Sequence, residues 1–218
     1  MTQQQQILDE IEPELINRVI ATRRDVVLKY ARMGALASAP IALALGANQA
    51  FGQELPQKIV DVLNFALTLE YLEAAFYNEG NKSRGLIPRE FRTVFKIIGQ
   101  HENAHVKLLQ GALGSAAVAA PAVDFTAGGK FPDVFDNFDT FLTLSQTFED
   151  LGVAAYKGQA GNLIGNGAIL TIALQIHSVE ARHASEVRRI GLRLGWDGAF
   201  DKPMSKSAVL AAATPFLA

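Results

Sequence analysis

One pattern, present twice, limits what this chain can fold into: a single glutamate on one helix, then Glu-x-x-His on the next. The first copy is Glu70, followed by Glu102 and His105. The second is Glu149, followed by Glu180 and His183. A Glu and a His three apart project from neighbouring positions on one helix face, so both reach a single point beside it. Four carboxylates and two imidazoles from four helices form the ligand set of a two-metal site inside a helical bundle.

The surrounding sequence supplies the helices. Helix A is expected from about Leu55 to Asn78, with Pro56 in its first turn, where a missing N–H is tolerated. Ile59, Val62, Leu63, Ala66, Leu67, Ala74 and Tyr77 recur at helical spacing, and Glu70 shares their face. The stretch 79–85 reads as a turn. Helix B follows to about Leu113, with Pro88 in its first turn and Phe95, Ile98, Val106 and Leu109 beside Glu102 and His105. Residues 115–137 show no period and carry Pro121, Gly128, Gly129 and Pro132. A connection this long suits a crossover between two helix pairs. Helix C is expected over about 138–161, with Leu142, Val153 and Tyr156 flanking Glu149. Helix D is expected over about 168–194, with Ala173, Ile176, Ala184 and Val187 around Glu180 and His183. A short helix near 207–213 closes the tail. The fold class is all-α: a four-helix bundle of two hairpins with a long crossover between helices B and C.

The two hairpins are internal repeats. LEYLEAAFY at 69–77 aligns without gaps on FEDLGVAAY at 148–156, pairing Glu70 with Glu149 and Tyr77 with Tyr156. Glu70 and Glu102 are 32 positions apart, and Glu149 and Glu180 are 31. In an antiparallel pair, residues equally far from the turn face each other. The midpoint of the first pair is residue 86, in the turn at Gly85-Leu86-Ile87, and that of the second lies between 164 and 165, in the turn expected over Gly161–Gly167. Each lone glutamate should therefore stand level with its hairpin partner, roughly 24 Å from the turn at about 1.5 Å per residue.

Four ionised carboxylates on an apolar face are prohibitively costly without compensation. Two divalent cations cancel their charge. Oxygen-rich ligation with one imidazole per ion suits iron or manganese better than zinc or copper. The expected scheme has Glu70 and Glu149 terminal, Glu102 and Glu180 bridging, and His105 and His183 on one ion each. Glu73, one turn from Glu70, is the substitute for it or an additional group behind it, but the repeat sets Gly152 against it. His101 and His177 have no partner in the repeat. Each reads as a partly buried histidine, or, for His177, as a donor one turn before Glu180. Tyr77 and Tyr156 read as core residues with satisfied hydroxyls, or as groups acting near the metals. Asp150 and Tyr71 stand where they could orient the imidazoles. Arg182, Arg188, Arg189 and Arg193 read as the solvated face and C-terminal end of helix D.

These residues resemble the ferritin-like superfamily, over about 54–218. The N-terminal segment 1–52 resembles a twin-arginine export signal: Thr22-Arg23-Arg24-Asp25-Val26-Val27-Leu28-Lys29, an uncharged stretch from Met33 to Gln53, then small residues around Ala50-Phe51-Gly52. A retained N-terminal helix serving as an anchor or docking arm is the alternative, though Pro40 and the weak Ala-rich hydropathy make it a poor span. Removing 1–52 takes away five basic and five acidic residues, so the formal charge of −2 is unchanged. Leader and tail together resemble the exported bacterial branch of ferritin-like-domain proteins related to desiccation and stress. The expected domain is then 53–218, periplasmic or extracellular, meeting the membrane only during export. The resemblance implies redox chemistry on dioxygen or hydrogen peroxide, of the oxidase, peroxidase or catalase type. A non-enzymatic stress protein or an iron store remains an alternative, and a homo-oligomer is compatible with either. The near-neutral charge argues against a nucleic-acid footprint. The absence of cysteine removes thiolate metal sites and disulfides.

Overall fold

The computed structural model describes residues 55–218, so the expected leader lies outside the described residues. Five α-helices occur among them: α1 (Gln57–Lys82), α2 (Arg92–Leu113), α3 (Phe138–Gln159), α4 (Gly167–Ile190) and α5 (Lys206–Ala213). α1 packs mainly on α2, and α3 mainly on α4; the two hairpins meet along α1 and α3. No β-strand is found among the described residues, only one antiparallel bridge between Val123 and Leu217. No described helix is long and apolar enough to cross a membrane.

Side chains set where the helices begin. Asn137 caps α3 by accepting hydrogen bonds from the backbone N–H groups of Asp139 (2.9 Å) and Thr140 (3.4 Å). Asn166 caps α4 through Ile169 N–H at 3.1 Å, and Ser205 caps α5 through Ala208 N–H at 3.2 Å. α2 ends at Gly114, whose φ of 56° lies in the left-handed region that glycine tolerates.

Three boundaries differ from the sequence expectation. α1 runs through Gly80 to Lys82 instead of turning after Asn78. The Phe141 ring occupies the space a Cβ at Gly80 would need, so this glycine serves a close helix contact within the helix. α2 begins at Arg92, and Pro88 belongs to the preceding turn, its carbonyl accepting from Phe91 N–H at 3.0 Å. α4 stops at Ile190: Leu192 adopts a φ of 58°, and Arg193 N–H returns to Arg188 O at 2.9 Å.

The core falls into two apolar clusters with the acidic residues between them. One gathers Ile59, Leu63, Leu67, Leu109, Ile169 and Ile176 with Tyr156. The other is aromatic: Phe76 stacks on Phe141 at 4.8 Å between ring centroids and meets Phe148 edge-on at 5.0 Å, with Tyr77 and Phe95 alongside. The crossover and tail close over this second cluster. Phe125 and Val134 enter it from the crossover and Phe216 from the tail. Asp124 N–H donates to Phe216 O, and Ala218 N–H to Ala122 O, both at 2.9 Å, tying the two segments together. Earlier, the crossover is held to α1: Asn64 bonds Ala116 O and Val118 N–H, and Tyr71 donates to Val118 O.

Candidate metal centre

The apolar periodicity that buries each helix carries the acidic residues inward with it. Glu70, Glu102, Glu149 and Glu180 are 0 % exposed, His105 is 7 % and His183 is 6 %. The hairpin registers bring all six to one level, as their spacing from the turns required.

Their atoms sort into two groups. Nδ1 of His105 lies 3.2 Å from Glu70 Oε2, 3.2 Å from Glu102 Oε2 and 2.9 Å from Glu180 Oε1. Nδ1 of His183 lies 3.0 Å from Glu102 Oε1, 3.4 Å from Glu149 Oε2 and 3.9 Å from Glu180 Oε2. Glu102 and Glu180 therefore give one oxygen to each imidazole, whereas Glu70 and Glu149 each serve one. In each quartet the nearest ligand atoms lie within 4.8 Å of one another, close enough to hold a metal ion.

The remaining oxygens of the lone glutamates are taken by tyrosines from the opposite hairpin. Tyr77 on α1 donates to Glu149 Oε1 on α3, and Tyr156 on α3 donates to Glu70 Oε1 on α1, both at 2.6 Å. The tyrosines paired by the repeat thus exchange partners, and each fixes a carboxylate so that Oε2 faces inward.

Other buried polar atoms in the centre stand at ion-pair distance from a neighbour or farther, with no hydrogen bond formed. Glu102 Oε1, Glu149 Oε2, both oxygens of Glu180 and His183 Nδ1 are fully buried without a hydrogen bond. Orphaned groups of this kind are rare in native interiors. All five belong to residues of the two quartets, so the residues present fit a pair of cations.

Without cations, protons must carry the compensation. Burial pushes the Glu70 carboxyl up to about 8, opposed in part by His105. Burial likewise raises Glu149 and Glu73 well above the carboxylate range. Burial would raise Glu102 too, but its contacts with His105 and His183 hold it down to about 2. For His183, burial disfavours the charge, yet Glu149, Glu102 and Glu180 raise it to about 12. His105 is raised in the same way, burial being outweighed first by Glu70. Two imidazolium groups amid carboxylates are the charge pattern expected where cations belong.

Two residues break the repeat. Glu73 is 3 % exposed and its repeat counterpart is Gly152. A Cβ added at Gly152 would stand 3.2 Å from Glu73 Oε1 and 3.5 Å from Glu180 Oε2. The glycine thus leaves room for a fifth carboxyl beside Glu180, though Glu73 belongs to neither quartet. His101 is the other, and its Nδ1 lies 2.9 Å from His183 Nε2.

The further sequence candidates are not part of the centre. Asp150 accepts from Arg188 at 2.8 Å, and Arg188 also pairs with Asp197, clamping α3, α4 and the tail. Tyr71 receives Gln110 Nε2 at 2.8 Å. Neither Asp150 nor Tyr71 hydrogen-bonds an imidazole: Asp150 is engaged by Arg188 and Gln146, and Tyr71 by Gln110 and Val118 O. His177 does not bond Glu180, and its Nε2 is buried without a partner. Arg188 is consequently a structural tie, and Arg193 donates to Gln146.

No curated protein matches the chain. The model of the ferritin-like domain matches residues 58–192, from the first turn of α1 past the end of α4 and through every residue of the centre. That span is well over half of the sequence, and the chain is a member of the ferritin-like domain family.

Proposed function

We propose that the centre holds two iron or manganese ions and carries out redox chemistry on dioxygen or hydrogen peroxide. The observation that supports this most is the division of oxygens: Glu102 and Glu180 each offer one to either side, as bridging carboxylates do. Glu70 and His105 would complete one ion's ligands, and Glu149 and His183 the other's. Bound there, a pair of redox-active ions would exchange two electrons with a small oxidant. Tyr77 and Tyr156 hold the terminal carboxylates so that each presents a single oxygen. The apolar clusters on both sides keep bulk water from the carboxylates and favour a small substrate.

The leader belongs to the same proposal. Residues 1–52 act as a twin-arginine signal, and the mature protein works in the periplasm or outside the cell in protection against oxidative or desiccation stress. Replacing Arg23 and Arg24 together by Lys should retain the full-length chain in the cytoplasm. Release that is indifferent to this change would overturn the assignment.

The central test is metal content after anaerobic loading with Fe(II) or Mn(II). Two ions per chain are expected, falling below one in Glu102→Ala and Glu180→Ala. Fewer than two ions in the unmodified chain would overturn the dimetal reading. Peroxide consumption by the loaded protein then separates an enzyme from a protein that uses metal for stability alone. A native mass of one or a few chains would argue against a hollow storage shell.

A further inference from the structure

The two halves of the centre match through Glu70 and Glu149, Tyr77 and Tyr156, and the two Glu-x-x-His pairs. They do not match behind the histidines. His101 immediately precedes Glu102 on α2 and reaches across to α4. Its Nδ1 lies 2.9 Å from Nε2 of His183, and the two ring planes are within 15° of parallel with centroids 5.2 Å apart. The repeat counterpart of His101 is Val179, which has no acceptor. The polar contacts of His105 all run through Nδ1.

An imidazole that gives Nδ1 to a metal keeps its proton on Nε2. That N–H needs an acceptor to fix the ring's plane and tautomer, and such acceptors raise the ligand's basicity. Nδ1 of His101 is placed to be one. The outer ring is exposed, so its own Nε2 can carry its proton facing solvent.

We infer that His101 is a positioning residue for one half of the centre: by accepting the Nε2–H of His183 it makes that half hold its ion more tightly than the His105 half. This rests on the dimetal reading. Both ions would share Glu102 and Glu180, so those two ligands would not distinguish the halves. His101 can, because it touches one imidazole only.

The test is titration of the full-length and variant chains with Co(II), whose absorption reports each ion as it binds. His101→Phe keeps a ring beside His183 and removes the acceptor. His101→Asn places an oxygen near the position of the lost Nδ1. The unmodified chain should bind two ions in resolved steps. His101→Phe should weaken the tighter step by about 10–100-fold and leave the other unchanged, and His101→Asn should restore most of the loss. Proton NMR of the two-cobalt protein should show one slowly exchanging, strongly shifted imidazole N–H, absent in His101→Phe. Two ions bound with equal affinity by the unmodified and His101→Phe chains, an equal loss at both steps, or no recovery in His101→Asn would overturn the inference alone. An unmodified chain that binds fewer than two ions would overturn the dimetal reading and this inference with it.

Discussion

The hydroxyl of Tyr156 on α3 lies 2.6 Å from Glu70 Oε1 on α1, and both residues are buried. Tyr77 and Glu149 repeat the contact in the opposite direction at the same distance. These bonds cross between hairpins, so they lock the register in which the two Glu-x-x-His pairs face each other. They also orient the carboxylates, since each phenol engages Oε1 while Oε2 faces an imidazole.

Replacing Tyr156 by Phe keeps the ring in its apolar cluster and leaves Glu70 Oε1 buried without its donor. The expected cost is about 1–3 kcal/mol, at about 2–4 °C of melting temperature per kcal/mol for a domain of this size. Tyr77→Phe should behave alike at Glu149. Thermal unfolding of the two single variants and the double variant checks this, and a double variant as stable as the unmodified chain would contradict the register lock.

Glu73 should behave differently from the four central glutamates. Its carboxyl is held neutral by burial first and by Glu180 and Glu102 beside it. A raised carboxyl contributes stability that is complete below its ordinary range and is lost as pH rises. Glu73→Gln keeps the shape and removes that titration. The metal-free variant should therefore melt higher than the unmodified chain at pH 8 and at nearly the same temperature at pH 4. Metal content should stay at two ions per chain. A drop to one would show that Glu73 is a ligand.

Much of the centre was legible because helical period, repeat and hairpin arithmetic agree on the same six residues. The remainder was hidden for physical reasons. Gly80 reads as a turn residue until Phe141 is seen to need its empty side. His101 looks unpaired within the repeat because its partner, His183, lies on the other hairpin. The phenylalanines of the crossover have no period, since Phe125 and Phe131 are positioned by the tail and by the Asp124 turn rather than by a helix. The alternative roles of Asp150 and Tyr71 needed their hydrogen-bond partners, Arg188 and Gln110, which spacing alone does not supply.

Metal removal should make stability strongly dependent on pH, with a definite sign. Glu70 is pushed up to about 8 by burial, so its contribution is full below pH 4.5 and lost as pH rises through about 8. His183 is raised to about 12, so its contribution is full below pH 6.5 and declines above that. Glu102, held down to about 2, is fully ionised throughout and adds no slope in this range. The chelated protein should lose melting temperature steadily from pH 5 to pH 9. Metal binding competes with these protons and strengthens over the same interval. The gap between Mn(II)-loaded and chelated protein should therefore widen with pH, as calorimetry of both forms would read. A gap that narrows would mean that the cations do not replace those protons.

The tail should be separable from the centre by one methyl group. Met204 N–H donates to Ala154 O at 3.0 Å, laying the segment before α5 against α3. A Cβ at Gly158 would fall on Met204 O and 2.9 Å from Met204 C. Both atoms are backbone, so no rotamer change relieves the clash, and the segment must lift away from α3. Val209 and Ala213 of α5 are fully buried and would loosen with it. Gly158→Ala should destabilise the chain by about 1–3 kcal/mol, the usual range for overpacking. It should also expose the segment around Met204 to limited proteolysis. The ligands lie on α1 to α4, so the variant should still bind two ions per chain. Loss of metal along with the tail would show that α5 supports the centre as well as covering the aromatic cluster.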